Sequence, residues 1–403
     1  TYSPEAEAYR EKVQAFLAEK LPSNWTGLGA LEGDAVIEFV TEWRKTLYEA
    51  NYLAPGWPAE YGGAGLSATE QVILAEEFAR AGVPTGGPND PFSIQMLGNT
   101  LLMWGTEEQK SYYIPRLLSG EDTWCQGYSE PNAGSDLGNV GLKAELDGDE
   151  WVLNGQKIWT SAGHLADHIF TLARTDPDAP KHKGISFLLV PMDQPGIEVR
   201  PIKMISGESE FNEVFYTDAR CPKENVVGGV NNGWAVAMSL LGFERGEAAA
   251  TGPIRYQSEL DRLVEMARER GLTDDPIIRQ RLAWCHSKVQ IMRFLGQRTL
   301  TQFLAGHHPG PDGAISKLYW SEYHRVVTEL AVDILGADAL TIEGRPPSSA
   351  FQTDDPGAAN SSASWVGTFL NARAGTIYAG SSQIQRNIIG EMILQLPKEP
   401  KPA

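Results

Sequence analysis

The sequence predicts an α+β chain in three parts: an all-helical domain over 1–121, a central antiparallel β-barrel or sandwich over 122–230, and a C-terminal four-helix bundle over 231–403. Three observations carry that expectation. Apolar residues recur at helical spacing at both ends of the chain. Near Asp122 this period gives way to short strand-like runs bounded by Asp-Gly and Asn-Gly pairs. No helical stretch separates those runs, which argues against the alternating pattern of a parallel α/β sheet. A length of 403 residues fits roughly two to three domains. With 42% apolar and 21% charged side chains, the chain has ample material for a core.

Ser3 is a candidate N-cap with Pro4 at the first helical position, where a missing N–H costs nothing. Tyr9, Val13, Phe16 and Leu17 follow at helical spacing until Leu21-Pro22. Second and third helical stretches surround Ile37, Phe39, Val40, Trp43 and Leu47, then Val72, Ile73, Leu74 and Phe78. Between them Trp57–Gly65 has the glycines of a phosphate loop. It lacks a preceding strand and a trailing Lys-Ser/Thr pair, and reads as an irregular turn. In the middle, Asp147-Gly148 and Asn154-Gly155 are both hairpin signals. Strand-like runs are Gln156–Ser161, His168–Arg174, Gly184–Pro191, Ile197–Ile202 and Phe211–Thr217. From Gly233 the helical period returns, with Ile277–Leu304 and Ile315–Leu335 long enough for a bundle. A polar stretch, Glu343–Ser364, reads as a lid, an interface arm or an insertion.

Composition excludes several classes of function. The formal charge of −18 disfavours nucleic acid and anionic membrane surfaces, though a few local N–H groups or arginines still suffice for an anionic small ligand. No apolar run approaches the ~18 residues of a bilayer span, and Thr1–Glu5 shows no basic-then-apolar leader. Cys125, Cys221 and Cys285 are far apart and odd in number, as in a reducing, cytoplasmic compartment. The histidines offer no convincing metal spacing, and neither G-x-S-x-G nor a post-strand G-x-G-x-x-G occurs.

Three segments together resemble one family. Trp124–Leu137 (WCQGYSEPNAGSDL) resembles the segment opening the β domain of acyl-CoA dehydrogenases. Asn154–Ser161 (NGQKIWTS) is similar to their flavin-covering strand, and Tyr378–Ile389 (YAGSSQIQRNII) to their C-terminal motif. The resemblance spans essentially the whole chain, in the same order of helix, β and helix. It implies an acyl-CoA dehydrogenase-like fold and FAD as cofactor. A flavin needs an aromatic wall and polar groups at its edge. The resemblance assigns the wall to Trp159, with Gln126, Tyr128, Ser129 and Ser161 around the isoalloxazine. Ser381 and Gln383 fall where the family binds the dinucleotide end, and Ser135 where it contacts the CoA thioester. Taken singly, Trp159 equally fits a core aromatic and Ser129–Gly134 an ordinary turn.

The chemistry so implied removes an α-proton from an acyl thioester while hydride leaves the β-carbon for flavin N5, so it needs a carboxylate base in a desolvated site. Many members place that glutamate directly after the C-terminal tyrosine, where this chain has Ala379. The backbone N–H of Ala379 remains available to polarise the thioester carbonyl. Leu241–Glu247 (LGFERGE) resembles the helix from which isovaleryl- and long-chain-type members supply the base, immediately before an arginine. Glu244 is therefore the expected base, Arg245 the matching arginine at the substrate, and Glu247 the reserve three residues on. A solvated helix face is the alternative for both glutamates.

Two segments depart from the family pattern. Its Arg-x-x-Phe-Gly segment, presented to the FAD pyrophosphate by a neighbouring subunit, corresponds to Met266–Asp275, where Arg268 or Arg270 stands in. Its Gln-Ile-Leu-Gly-Gly reads Asp333-Ile334-Leu335-Gly336-Ala337, and a carboxylate beside a pyrophosphate is unfavourable. With the Glu343–Ser364 insertion, these features resemble bacterial members acting on CoA thioesters of steroid-derived or other cyclic acids. Three readings follow: an acyl-CoA dehydrogenase passing electrons to an electron-transfer flavoprotein, a same-fold oxidase using dioxygen, or a non-catalytic chain completing the FAD site of a related subunit. A redox-silent acyl-CoA binding module is a fourth. The assembly implied is a homodimer, homotetramer or heterotetramer.

Overall fold

The computed structural model describes residues 3–243, 245–305, 310–346 and 356–398, without the side chains of 242, 243, 245–250, 303 and 304. The chain forms two compact units, both discontinuous in sequence. One comprises Thr1–Phe39, Ser67–Pro84 and Arg245–Ala403; the other comprises Val40–Leu66 and Thr85–Glu244.

The helical signals at the N-terminus are answered element by element. Helix α1 (Pro4–Lys20) begins on Ser3, whose side chain accepts from Ala6 N, and it buries Tyr9, Val13 and Leu17. Helix α2 (Asp34–Glu49) buries Trp43 and Leu47, one turn apart, and leaves Ile37 exposed. Helix α3 (Ala68–Ala81) opens on a capping box between Ser67 and Glu70 and ends at Gly82 in the left-handed conformation. The Trp57–Gly65 segment is an irregular turn around a short 3₁₀ helix, Ala59–Tyr61. A side chain at Gly63 would lie 2.2 Å from the Trp57 carbonyl oxygen, so glycine there serves close packing of the turn on itself. A π-helical turn (Pro91–Gly98) then runs into α4 (Asn99–Trp104), and α5 (Glu107–Ser119) follows.

The central region is a single mixed sheet of eight strands: β1 (Trp124–Gly127), β2 (Lys143–Asp147), β3 (Glu150–Ser161), β4 (His168–Arg174), β5 (Ile185–Pro191), β6 (Ile197–Pro201), β7 (Phe211–Pro222) and β8 (Val226–Val227). The order is β6-β7-β3-β2-β4-β5-β8, with β1 also on β4. The sheet does not close into the expected barrel, and it is not wholly antiparallel, because β1 runs parallel to β4. A parallel pair needs a long connection, and the loop after β1 plus the β2–β3 hairpin provides one. A two-residue hairpin does form here, but its loop residues are Gly148 and Asp149, between the paired Asp147 and Glu150, with Gly148 at φ +62°. Asn154-Gly155 does not turn the chain. It is a register shift inside continuous β3, where Asn154 exchanges hydrogen bonds with Asp218 on β7.

Both faces of the sheet are covered within its own unit. Phe170, Leu172, Phe187 and Leu189 pack with Leu97, Leu101, Leu117 and Leu240, while Ile169, Leu188 and Val190 pack with Leu153, Val214 and Tyr216. That is why β5 is apolar almost throughout rather than alternating. Helix α6 (Gly233–Phe243) closes this unit.

The other unit is helical. Helices α7 (Arg245–Glu269), α8 (Pro276–Leu304), α9 (Gly313–Leu335) and α10 (Ser362–Ala372) share a core of Leu260, Leu263, Cys285, Tyr323, Val327, Leu330 and Trp365, with the short α11 (Ser382–Ile388) after them. Helix α3 packs on α1, α7 and α8. The two ends of the Glu343–Ser364 stretch are tied to the segment before α2: Arg345 donates to the carbonyls of Gly29 and Leu31, and Gly29 N donates to Pro356 O. Residues 347–355 lie outside the described residues.

Candidate active site

In β3, Trp151, Leu153 and Lys157 are buried at odd positions, and strict alternation would bury Trp159 as well. It does not. The pairing with β7 shifts register between Lys157 and Thr160, so Thr160 turns inward and Trp159 stands 56% exposed. Trp159 holds a left-handed backbone (φ +62°), a conformation that costs a bulky residue energy and that the bulge imposes. Its indole meets the edge of Phe211, at 6.0 Å between ring centres. The sequence left open whether this tryptophan is core or wall, and the bulge turns it out of the core. Ser161 pairs with Phe211 at the end of the strand, half-buried.

The loop after β1 is fastened to the same strand. Ile158 N donates to Ser129 O at 2.9 Å. Lys157, wholly buried, donates to Tyr128 O at 3.1 Å and to Glu130 Oε1 at 2.7 Å. Glu130 also accepts from Gly141 N (2.6 Å) and Leu142 N (2.9 Å). A buried ammonium is tolerated only with partners of this kind, and burial still lowers Lys157 to about 8, against the opposing pull of Glu130. Neither residue was singled out from the sequence. The signal was present in the phase of β3, which puts a lysine in register with two buried apolar residues. Gln126 is half-buried on β1, and its Nε2 is buried with no hydrogen-bond partner among the described residues. Tyr128 lies in the core against Phe170 and Phe187. Ser129 is half-buried, and Ser135 is exposed in the turn that follows.

In the helical unit, Ala379 adopts φ +50° and Gly380 φ +82°. Their carbonyls are held: Gln385 Nε2 donates to both, at 2.9 and 3.2 Å, and Lys317 Nζ donates to Gly375 O and Gly380 O, each at 2.8 Å. The Ala379 N–H has no hydrogen-bond partner among the described residues. Ser381 is the N-cap of α11 and accepts from Ile384 N, and Gln383 is exposed in the first turn. Lys317 and Gln385 were missed by sequence reasoning, because their role is to fix a backbone distant in sequence from one of them.

Arg268 is exposed in the last turn of α7 with no ion-pair partner among the described residues. Arg270 is committed elsewhere, to Leu335 O (3.1 Å) and Asp338 (2.7 Å). Asp333 is paired with Arg281 at 2.5 Å, which offsets its charge. Glu244 lies outside the described residues, as do the side chains of Arg245 and Glu247. No group of three potential metal ligands occurs among the described residues.

The sheet thus carries an outward-facing indole and an amide nitrogen with no partner among the described residues, with helical segments before and after it in sequence. Three family descriptions match in order: Acyl-CoA dehydrogenase, N-terminal domain over 3–121, middle domain over 125–219, and C-terminal domain over 231–394. Acyl-CoA dehydrogenase IpdE1 of Mycobacterium tuberculosis is 43% identical over 401 residues, covering 98% of this chain and 99% of that protein. Among solved structures, the Tcur3481-Tcur3483 steroid ACAD superposes with a TM-score of 0.80 at 34% identity, covering 99% of both chains. The ChsE4-ChsE5 complex from Mycobacterium tuberculosis gives 0.77 at 30% identity, again covering 99% of both chains. The chain belongs to the acyl-CoA dehydrogenase family, whose members catalyse FAD-linked dehydrogenation of acyl-CoA.

The residues present fit that cofactor. Trp159 offers a flat apolar face that is 56% exposed, and Gln126 an amide donor with no partner among the described residues.

Proposed function

We propose that this protein dehydrogenates a CoA thioester between its α- and β-carbons, giving the trans-2-enoyl-CoA, with Glu244 as the base. Bound FAD supplies the hydride acceptor. Trp159 backs the ring system, Gln126, Tyr128, Ser129 and Ser161 hold its edge, and Ser381, Gln383 and Arg268 serve the dinucleotide end. Ser135 and Arg245 contact the thioester ligand. The Ala379 N–H donates to the thioester carbonyl and so stabilises the charge that develops when the α-proton leaves. The observation that carries this reading is the β3 bulge, which spends backbone energy to present an indole to solvent. An acyl group derived from a steroid or another cyclic acid is the substrate class, on the strength of the steroid ACAD neighbour. An electron-transfer flavoprotein is the acceptor; rapid oxygen consumption on turnover would instead indicate an oxidase. We assign the chain to the cytoplasm on its three buried free cysteines, and take 1–121, 122–230 and 231–403 as its functional divisions.

Glu244→Gln preserves size and hydrogen bonding but removes the proton acceptor. The variant is expected to retain yellow flavin while anaerobic reduction by acyl-CoA slows by about 10²–10⁴-fold. A near-normal Glu244→Gln with an inactive Glu247→Gln would move the base to Glu247. A second reading is favoured by one observation: two similar structures carry paired names, Tcur3481-Tcur3483 and ChsE4-ChsE5. On that reading this chain completes the FAD site of a related subunit in a heterotetramer. A purified homomer that is colourless and takes up no FAD supports it, and a yellow homo-oligomer reduced by acyl-CoA refutes it.

A further inference from the structure

Lys157 and Glu130 are the one ion pair of the sheet unit with a fully buried lysine among the described residues, and they lie directly beneath the two segments that the proposed function uses. Three consecutive residues of the loop are held from two consecutive residues of the strand. The Tyr128 carbonyl is held by Lys157 Nζ, the Ser129 carbonyl by Ile158 N, and the Glu130 carboxylate again by Lys157 Nζ. The next residue of the strand is Trp159, at the crest of the bulge. Glu130 carries the tie further, to the N–H groups of Gly141 and Leu142 at the entry to β2. Ala133 closes the loop on itself by exchanging backbone hydrogen bonds with Glu130.

From this geometry we infer that Lys157 and Glu130 are a positioning pair, which sets the spacing and orientation of Ser129 relative to Trp159 and so pre-forms the flavin-edge contacts. The inference deepens the reading given above and rests on it. Neither residue touches the reacting atoms. Apolar side chains of similar volume often replace a whole buried ion pair without loss of stability, whereas removing one partner alone is strongly destabilising, so unfolding is read beside flavin binding. What such a replacement removes is the directional grip on the Tyr128 carbonyl and on the loop's carboxylate. A bulged strand has lost ladder bonds at the very residues whose placement matters, and the pair supplies a second attachment there.

The test uses the full-length protein. Lys157→Met, Glu130→Gln and the double variant are stripped of flavin and retitrated with FAD. The quenching of flavin fluorescence and the resolution of the visible absorption bands are read, with thermal unfolding of the flavin-free proteins alongside. Each single variant is expected to bind FAD about tenfold or more weakly than the wild type, with blurred bands. The double variant should bind no worse than the weaker single, because the two residues act as a unit. Glu130→Gln changes one atom group and keeps the shape of the loop, so it carries the test if Lys157→Met does not fold. FAD affinity and band shape within twofold of wild type in either folded single variant overturns the inference, whatever the change in melting temperature. A wild-type protein that binds no FAD sinks the proposed function instead, so the two failures are distinct.

Discussion

At the residue scale, Trp159 combines two features that rarely coincide, high exposure and a left-handed backbone. Trp159→Gly separates them. Glycine adopts positive φ freely, which returns about 1–2 kcal/mol of conformational strain. Loss of the edge contact with Phe211 removes ~0.5–1.5 kcal/mol. The flavin-free variant should therefore unfold within about 1 kcal/mol of wild type, whereas truncating a core tryptophan costs about 3–5 kcal/mol. Its FAD affinity should nevertheless fall by an order of magnitude or more, as read by flavin fluorescence titration. A large loss of stability without loss of flavin binding would mean that the ring serves packing. The residue's identity and its place beside Ser161 were legible in the sequence. Its exposure was not, because alternation from Trp151 and Leu153 points it inward and only the pairing with β7 shows the shift.

At the element scale, β3 carries a buried lysine whose titration has a definite sign. Burial lowers Lys157 to about 8, below the ~10.4 of a free lysine. Between those values the unfolded chain holds a proton that the folded chain has released, so this group makes folding more favourable as pH rises through the window. The buried thiols act the other way: burial pushes Cys221 and Cys285 up to about 12 and Cys125 higher still, so the unfolded chain sheds those protons first. Comparing wild type with Lys157→Met isolates the lysine. The stability difference, from denaturant unfolding at a series of pH values, should shift in favour of wild type between about pH 8 and 10.5. A flat difference would show that Lys157 is solvated. Element types were largely legible: His168–Arg174 was read at the bounds that β4 has, and Ser3 and Gly233 mark the starts of α1 and α6. The Asn154-Gly155 hairpin was not, since the same dipeptide serves a bulge when a partner strand continues alongside it.

At the scale of the whole molecule, the three cysteines are all free and all buried, in two different cores. Titration with a maleimide should label essentially none in the native protein and all three after denaturation. Prompt labelling of one in native buffer would place that thiol at the surface. The helical–β–helical order was legible because each region has its own period. The way the chain divides into two compact units was not. Residues 1–39 and 67–84 join the C-terminal helices through contacts such as those of α3 with α7, and those partners lie far along the chain.

This interleaving sets an order of events during synthesis. The sheet unit has all its residues once Glu244 has left the ribosome. Helix α3 emerges earlier and can meet α1 at once, yet its packing partners α7 and α8 come last. At about 5–20 residues per second, the segment Arg245–Ala403 takes on the order of ten to thirty seconds to follow. Throughout that interval the face of α3 that will meet α7 and α8 waits uncovered, and that is when a holdase chaperone would have most to protect.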